Sequence, residues 1–405
     1  MVQTLNNPEE LDEILEQFGP SAVLDRLIAD LTERGEYRAL LDAMLLKARH
    51  ELGLPLVQDG SLMDLPEPKR SEYEDQYIAA IRKVGGMLLE TGEIAAAWPY
   101  FRAIGEKEAV VEAIEAFRPQ QGDEAVGKVV EVAFNQGAHP RRGWELILDH
   151  FGACSAITAF EHLPPDDAVR IPCADRLTRH LHEQLVASLR YDITRRGEPG
   201  PPEGATIPSL LEGRPWLFED DNYHIDVSHL ASTVRLAPLL TDPATIALAV
   251  ELTDYGRNLS ERHRYEGEPP FDRPYEDHAV YLRALLGQDV DAAVAHFRAK
   301  LDAPAQGLPG GFEIDPEFLP AGPSDTVPAQ TLVVLLTRLG RLEEAIDVAS
   351  THLAGVPESA LFCPSVARLC QRAGRLERLA AIARDGNDPV HYAAAILDRH
   401  AKRPT

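Results

Sequence analysis

The sequence predicts an all-α fold, an irregular α-solenoid of antiparallel helix hairpins, and three observations support this class. Two similar helix-turn-helix runs lie 34 residues apart, measured between Gly340 and Gly374, which is the period of a stacked two-helix unit. Aromatic residues make up only 6% of the chain while Ala and Leu are abundant, a balance that suits close helix packing. Apolar residues also recur at intervals of three and four through most of the chain, as they do in amphipathic helices.

The helical periodicity starts close to the amino terminus. Residues 8–52 are predicted to form two or three helices, and the first of these carries an apolar stripe of Leu11, Ile14, Leu15 and Phe18. The same period continues along the chain and leads into hairpins around Gly287 and Gly340. The further helical stretches are 73–117, 126–133, 144–148, 156–160, 174–194, 234–240 and 245–259.

The run after residue 331 resembles a tetratricopeptide repeat. Gly340 stands where the first helix of such a repeat ends, Ala345 stands at the small residue of the second helix, and Pro357 closes the unit. The resemblance implies stacked helix hairpins and a role in binding a protein or a peptide. The glycines 92 and 287 each precede the small-x-x-x-aromatic spacing of the family's second helix, in Ala97 with Phe101 and in Ala293 with Phe297.

The predicted array is irregular and has a divergent middle segment. The other glycine intervals are 57 residues, from Gly35 to Gly92, and 53 residues, from Gly287 to Gly340. Two stretches rich in Pro and Gly, 197–204 and 303–328, interrupt the helical pattern because proline breaks a helix interior. They divide the chain into an N-terminal helical array (1–195), a central helical segment (205–302) and C-terminal tetratricopeptide-like repeats (327–402). Separate domains and one array with insertions both fit this division.

The charge balance bears on the class of partner. Asp and Glu number 65 against 40 Lys and Arg, for a net charge of −25. Such a surface repels phosphate backbones, so we expect no nucleic-acid partner, and a protein or peptide partner of basic character fits better. The alternative is that the charge only keeps a large helical surface in solution.

Two further features bear on location. The first ten residues contain no basic region followed by an apolar core, and no apolar run approaches the ~20 residues that cross a bilayer. The four cysteines form no Cys-x-x-Cys pair, so we expect buried, reduced thiols. The sequence therefore predicts a cytoplasmic protein without a membrane partner.

Imidazole and carboxylate groups are concentrated in the central segment. If the two helix starts near His224 and His278 face each other, His224, Asp226, His229, Asp277 and His278 would converge. These side chains are ligands of zinc, iron and manganese. A divalent metal held there could activate water for hydrolysis. The carboxylates that could then act as general base are Glu251, Asp254 and Glu276.

The same residues also have a structural interpretation. Asp226 and Asp277 each precede an apolar helical run, where a carboxylate caps free backbone N–H groups. Under this interpretation the histidines are ordinary hydrogen-bonded side chains, and the protein is an interaction scaffold that requires no cofactor. The metal-binding protein or metal-dependent hydrolase is the alternative, and no catalytic residue is assigned by the sequence.

Three aromatic residues of the central segment are candidates for ligand binding. Trp216, Phe218 and Tyr223 lie within eight residues of one another and could form an apolar wall of a binding site. The alternative is that they belong to the hydrophobic core.

Overall fold

A computed structural model describes residues 9–57, 64–301 and 326–401. Every regular element in these three ranges is a helix, and none is a strand. The predicted all-α class is therefore confirmed, and consecutive helices pack against each other in pairs. The α-helices are α1 Glu9–Phe18, α2 Pro20–Arg34, α3 Tyr37–Glu51, α4 Lys69–Glu90, α5 Ile94–Ala103, α6 Glu108–Ala116, α7 Ala125–Val130, α8 Pro140–Phe160, α9 Asp167–Arg195, α10 Ile207–Leu211, α11 Val227–Leu236, α12 Pro243–Gly256, α13 Pro274–Leu285, α14 Val290–Ala299, α15 Val327–Arg338, α16 Leu342–His352, α17 Val366–Ala373, α18 Leu376–Asp385 and α19 Pro389–Ala401.

The chain divides into two compact units, Met1–Val169 and Arg170–Thr405. The boundary falls inside the first turn of α9. The stretch 197–204 lies between α9 and α10 and contains no helix, as predicted. Most of the second predicted break, 303–325, lies outside the described residues, and the division of the chain into three parts stays a prediction.

In the first unit, a glycine sets the close packing of α4 on α5. Gly85 and Phe101 are both buried, and a Cβ atom on Gly85 would lie 2.7 Å from Cε2 of Phe101. The chain turns between the two helices at Gly92, whose φ of 81° is in the left-handed region that favours glycine. Ala97 and Phe101, which share the predicted small-x-x-x-aromatic spacing, both belong to the core of this unit.

In the second unit, three consecutive helix hairpins are linked by the same type of ion pair between an arginine and a carboxylate. Their turns contain Gly287, Gly340 and Gly374, each with a positive φ. Arg341 directly precedes α16 and pairs with the second residue of α14, Asp291, while Arg375 directly precedes α18 and pairs with the second residue of α16, Glu343. The same register is thus used twice between successive hairpins.

Buried apolar side chains hold these hairpins together more than the ion pairs do. An exposed ion pair contributes about 0–1 kcal/mol, whereas full burial of one Leu or Val side chain contributes about 1.5–3 kcal/mol. The repeated arginine pairs therefore report the register of the hairpins and supply little of their stability. The buried apolar residues of the central hairpin include Leu332, Val333, Leu335, Leu336, Ala345, Ile346, Val348 and Ala349.

One cysteine differs from the prediction of buried thiols. Cys173, Cys363 and Cys370 are buried free thiols, but Cys154 is exposed. The backbone of α8 is non-helical at Gly152, and after this break residues 153, 156 and 160 face the core. Cys154 therefore lies on the outer side of the helix. Among the described helices, none combines the length and the apolar character that crossing a bilayer requires.

Candidate functional site

Asp226 caps helix α11. Its Oδ1 accepts hydrogen bonds from the backbone N–H of Ser228 at 2.8 Å and of His229 at 3.3 Å, and from the Ser228 hydroxyl at 2.5 Å. The hydroxyl bond, together with the two backbone bonds, lowers the pKa of Asp226 although its partial burial opposes this. The carboxylate is thus an N-cap, as the structural interpretation of the sequence predicts.

His224 is held by Tyr255 and faces Asp192. The Tyr255 hydroxyl accepts from the backbone N–H of His224 at 2.8 Å and lies 3.1 Å from Nδ1, so the hydroxyl proton is available to Nδ1. This contact favours the tautomer with a proton on Nε2, the atom 3.4 Å from Oδ2 of Asp192. Burial lowers the pKa of His224, against the attraction of Asp192, so the ring is neutral at neutral pH.

Asp277 forms its polar contacts from within the first turn of α13. Its side chain is completely buried and accepts from the backbone N–H of Arg273 at 2.8 Å, while Nζ of Lys300 lies at 2.7 Å and Nε2 of His296 at 2.8 Å. The sequence places Asp277 before a helix as a cap, but the helix starts at Pro274. The carboxylate therefore reaches back from within the first turn, where it is also paired with the partly buried Lys300.

His278 packs beside this carboxylate but makes different contacts. Its Nδ1 donates to the carbonyl oxygen of Pro274 at 2.6 Å, and its ring stacks on Phe271 with 4.0 Å between the centroids. Burial lowers the pKa of His278 to about 4. The ring is therefore neutral over the whole physiological range.

The five predicted metal ligands thus have separate roles. His224 contacts Tyr255, Asp226 caps α11, Asp277 binds Lys300, and His278 binds a carbonyl oxygen, while His229 contributes its backbone N–H to the α11 cap. Within the described ranges, no group of three or more His, Cys, Asp or Glu side chains has an arrangement that could hold a metal ion. No contact of these residues favours a metal site.

The three carboxylates considered as general bases each have their own polar partners. Oε2 of Glu251 lies 2.9 Å from Nε2 of His182 and accepts from the backbone N–H of Ile207 at 2.8 Å. Burial by itself would raise the pKa of Glu251, but these two hydrogen bonds outweigh it and the pKa is lowered. The other two are paired with arginines: Asp254 with Arg283 at 2.7 Å, and Glu276 with Arg264 at 3.7 Å.

The three predicted binding aromatics are distributed over different surroundings. Phe218 packs in a cluster with His224 and Tyr255, at centroid distances of 6.1 and 5.3 Å. Tyr223 is exposed and packs its ring on His263 at 4.9 Å. Trp216 contacts the guanidinium group of Arg196, whose Cζ lies 4.2 Å from the ring centroid. Of the three, Trp216 lines a cavity.

That cavity lies between the end of α9 and the segment before α11. It is open to solvent, measures roughly 460 Å³, and is lined by Asp192, Arg195, Arg196, Trp216 and Asn222. The aromatic pattern of the sequence indicates Trp216 as a candidate, but nothing in it indicates the residues from α9, because an Asp-x-x-Arg-Arg ending is typical of a solvated helix end. The combination of this charged helix end with the aromatic segment beyond the 197–204 loop is the signal that could have identified it.

A second exposed feature is the apolar face of α1. No residue of this helix is buried, and Leu15 and Phe18 are 48% and 71% exposed. The helix packs against α2, and this contact covers its apolar stripe only in part. Five of its ten residues are acidic: Glu9, Glu10, Asp12, Glu13 and Glu16.

Comparison of the chain with protein-family models, with curated proteins and with solved structures found no match. The likeness to tetratricopeptide repeats therefore remains a resemblance carried by residues such as Gly340 and Ala345. The contacts, burial and charge of the described residues are the basis for the functional proposal that follows.

Proposed function

We propose that this protein is an interaction scaffold that binds a basic, amphipathic segment of a partner protein or peptide. The observation that carries the proposal is α1, an acidic helix whose apolar side chains Leu15 and Phe18 are exposed. Apolar groups exposed side by side on a helix are a common docking element, because a partner helix removes them from water. Covering both side chains would contribute about 1–2 kcal/mol each.

The acidic residues of α1 favour a positively charged partner. The acidic residues of α1 flank its apolar stripe, and the whole chain carries a net charge of −25. A segment with Lys or Arg beside Leu, Ile or Phe would match both features, and its association would be accelerated by the long-range field. Nucleic acids and anionic membrane surfaces carry the wrong sign of charge for this surface.

The hairpins support a scaffold role. Arrays in which each helix hairpin packs on the next present extended surfaces to a partner, and the repeated register of Arg341 and Arg375 is the kind of contact such arrays use. We propose a tetratricopeptide-like α-solenoid for this part of the chain. We assign the protein to the cytoplasm, where its four free cysteines would stay reduced.

A labelled amphipathic peptide of about 18 residues, with Lys on one face and Leu on the other, tests the proposal by fluorescence anisotropy. We expect saturable binding that weakens as NaCl is raised, because screening reduces the attraction between exposed charges. Phe18→Ser is expected to weaken binding about tenfold, a loss typical of an interface anchor.

The matched control is Val390→Ser on α19, which removes an exposed apolar residue, 73% exposed, from the other unit. This change is expected to leave binding unaltered, and a peptide with Glu in place of Lys is expected not to bind. Equal affinity at low and high salt, or equal affinity of the Phe18→Ser variant and the original chain, would contradict the proposal.

A further inference from the structure

The cavity beside Trp216 contains a guanidinium group that is positioned but unpaired. Arg196 stacks on the indole ring at 4.2 Å and makes no hydrogen bond or ion pair to another side chain in the part of the chain that the structure describes. Stacking restrains the guanidinium plane and leaves its N–H edges open for a planar oxyanion, which they can bind through two parallel hydrogen bonds. Such an unpaired arginine is a candidate carboxylate receptor on a protein rich in acid.

The cavity, and the buried histidine behind Asp192, contain polar groups whose hydrogen-bonding capacity is not filled. The carboxylate of Asp192 lies 3.6 Å from Nε of Arg195 and 3.4 Å from Nε2 of His224, and neither contact is a hydrogen bond. The side chain of His224 is 2% exposed, and its Nε2 has no hydrogen-bond partner among the described residues. Asn222 donates its Nδ2 to the carbonyl oxygen of Leu217 at 3.1 Å, which leaves its side-chain oxygen available to a ligand.

The charges of the cavity specify a ligand by complementarity. Two guanidinium groups, those of Arg195 and Arg196, match two carboxylates. The single carboxylate of Asp192, together with the amide oxygen of Asn222, matches one ammonium group. A ligand with two carboxylates and one ammonium group is an acidic α-amino acid, and the roughly 460 Å³ of the cavity holds a molecule of this size.

We propose that the cavity binds a free acidic α-amino acid. The stacked Arg196 receives the α-carboxylate, Asp192 and Asn222 receive the ammonium group, and Arg195 receives the side-chain carboxylate. The buried His224 lies behind Asp192, with Nε2 3.4 Å from Oδ2 of that carboxylate. This site is made by residues of the second unit alone and does not depend on partner binding by α1.

Isothermal titration calorimetry with four probes tests the assignment group by group. L-glutamate has all three charges, glutamine lacks the side-chain carboxylate, isoglutamine lacks the α-carboxylate, and N-acetylglutamate lacks the ammonium group. We expect saturable binding of glutamate, and binding about tenfold weaker for each of the other three, as for the loss of one charge-assisted hydrogen bond.

Two variants assign the α-carboxylate and the ammonium group to their receptors. In Arg196→Gln, glutamate and isoglutamine are expected to bind equally, because the receptor of the α-carboxylate is gone. In Asp192→Asn, glutamate and N-acetylglutamate are expected to bind equally. A selective loss of discrimination is a result that a partly unfolded variant cannot produce. The control is Arg102→Gln, the same change at an exposed arginine of the first unit, which is expected to leave all four affinities unaltered.

Two results would overturn this inference. One is no saturable binding of glutamate up to about 10 mM, a concentration that would reveal even millimolar affinity. The other is N-acetylglutamate binding as tightly as glutamate, which would show an anion site without an ammonium receptor. The Phe18→Ser variant is expected to bind glutamate normally, so this inference and the proposed scaffold function can fail separately.

Discussion

At the scale of single residues, the second unit buries the carboxylate of Asp277 completely. It has two cationic or polar side chains within 2.8 Å, those of Lys300 and His296, and one backbone donor, that of Arg273. A buried pair adds little over an apolar pair of the same shape, but removing one partner leaves the other charge without compensation. The carboxylate therefore ties α13 to the end of α14, and its loss should be costly.

Asp277→Ala is predicted to lower the free energy of unfolding by about 3 kcal/mol, because Lys300 loses its buried partner and, among the described residues, keeps only the exposed Asp272. Chemical denaturation followed by circular dichroism measures the change. The control is Asp347→Ala, which removes an exposed carboxylate paired with Arg378 and is predicted to cost ~1 kcal/mol at most. Similar losses for the two variants would contradict this interpretation of Asp277.

His278 makes stability depend on pH. Burial lowers its pKa from 6.5 to about 4, so in mildly acidic solution the unfolded chain binds a proton that the folded chain does not. Its contribution is therefore complete above pH 6.5 and is lost as the pH falls toward 4. We predict that the difference in unfolding free energy between pH 7 and pH 5 is about 2 kcal/mol smaller in His278→Asn than in the original chain. The asparagine amide keeps a donor for Pro274, and equal pH dependence of the two chains would refute the prediction.

At the scale of elements, two adjacent glycines of α4 provide a matched pair. A Cβ on Gly85 would lie 2.7 Å from the buried ring of Phe101, whereas a Cβ on Gly86 would meet no atom of another described element within 4 Å. Gly85→Ala is predicted to destabilise the first unit by about 1–3 kcal/mol through overpacking against α5. Gly86→Ala is predicted to stabilise it by roughly 0.5–1 kcal/mol, because alanine favours a helix.

Thermal unfolding monitored at 222 nm, a helix signal, can compare the two glycine variants with the original chain. Opposite signs for neighbouring positions would show that contact between α4 and α5, and not helix propensity, decides the effect at Gly85. Stabilisation by both changes would instead mean that Phe101 can move aside, and that the helices are less closely packed than the structure indicates.

Much of the element pattern could be predicted from the sequence because it is local. The apolar stripe of α1, the N-cap at Asp226 and the loop at 197–204 each depend on residues within about one or two helical turns. The break at Gly152 also has a local signal, since the sequence predicts separate helices on either side of it. The depth of burial of Asp277 has no local signal, because it depends on Lys300 and His296 from another helix.

At the scale of the whole molecule, the cavity shows what the sequence could not supply. Asp192 and Trp216 lie 24 residues apart and on either side of the non-helical 197–204 loop. Helical periodicity states which face of an element is apolar, but it contains no information on which helix end meets which later segment. The sequence therefore identifies the aromatic residue of the cavity, Trp216. It does not distinguish the charged residues of the cavity from those at any other solvent-exposed helix end.

The net charge of −25 also has a consequence for the stability of the whole chain. Excess carboxylates repel one another in the compact state more than in the expanded state, while the surface ion pairs attract. Because each exposed pair contributes only ~0–1 kcal/mol, we predict that repulsion dominates and that added NaCl stabilises the fold. Screening worth about 1 kcal/mol would raise Tm by about 2–4 °C.

Differential scanning calorimetry in dilute buffer and in buffer with NaCl measures this shift. A double variant, Glu112→Lys with Glu183→Lys, changes two exposed carboxylates that make no ion pair within the described ranges. Because it lowers the negative charge without removing a pair, its Tm is predicted to be higher in dilute buffer and to respond less to salt. If NaCl instead lowers the Tm of the original chain, the surface ion pairs outweigh the repulsion, and the acidic surface would be a source of stability instead of a cost that a basic partner could relieve.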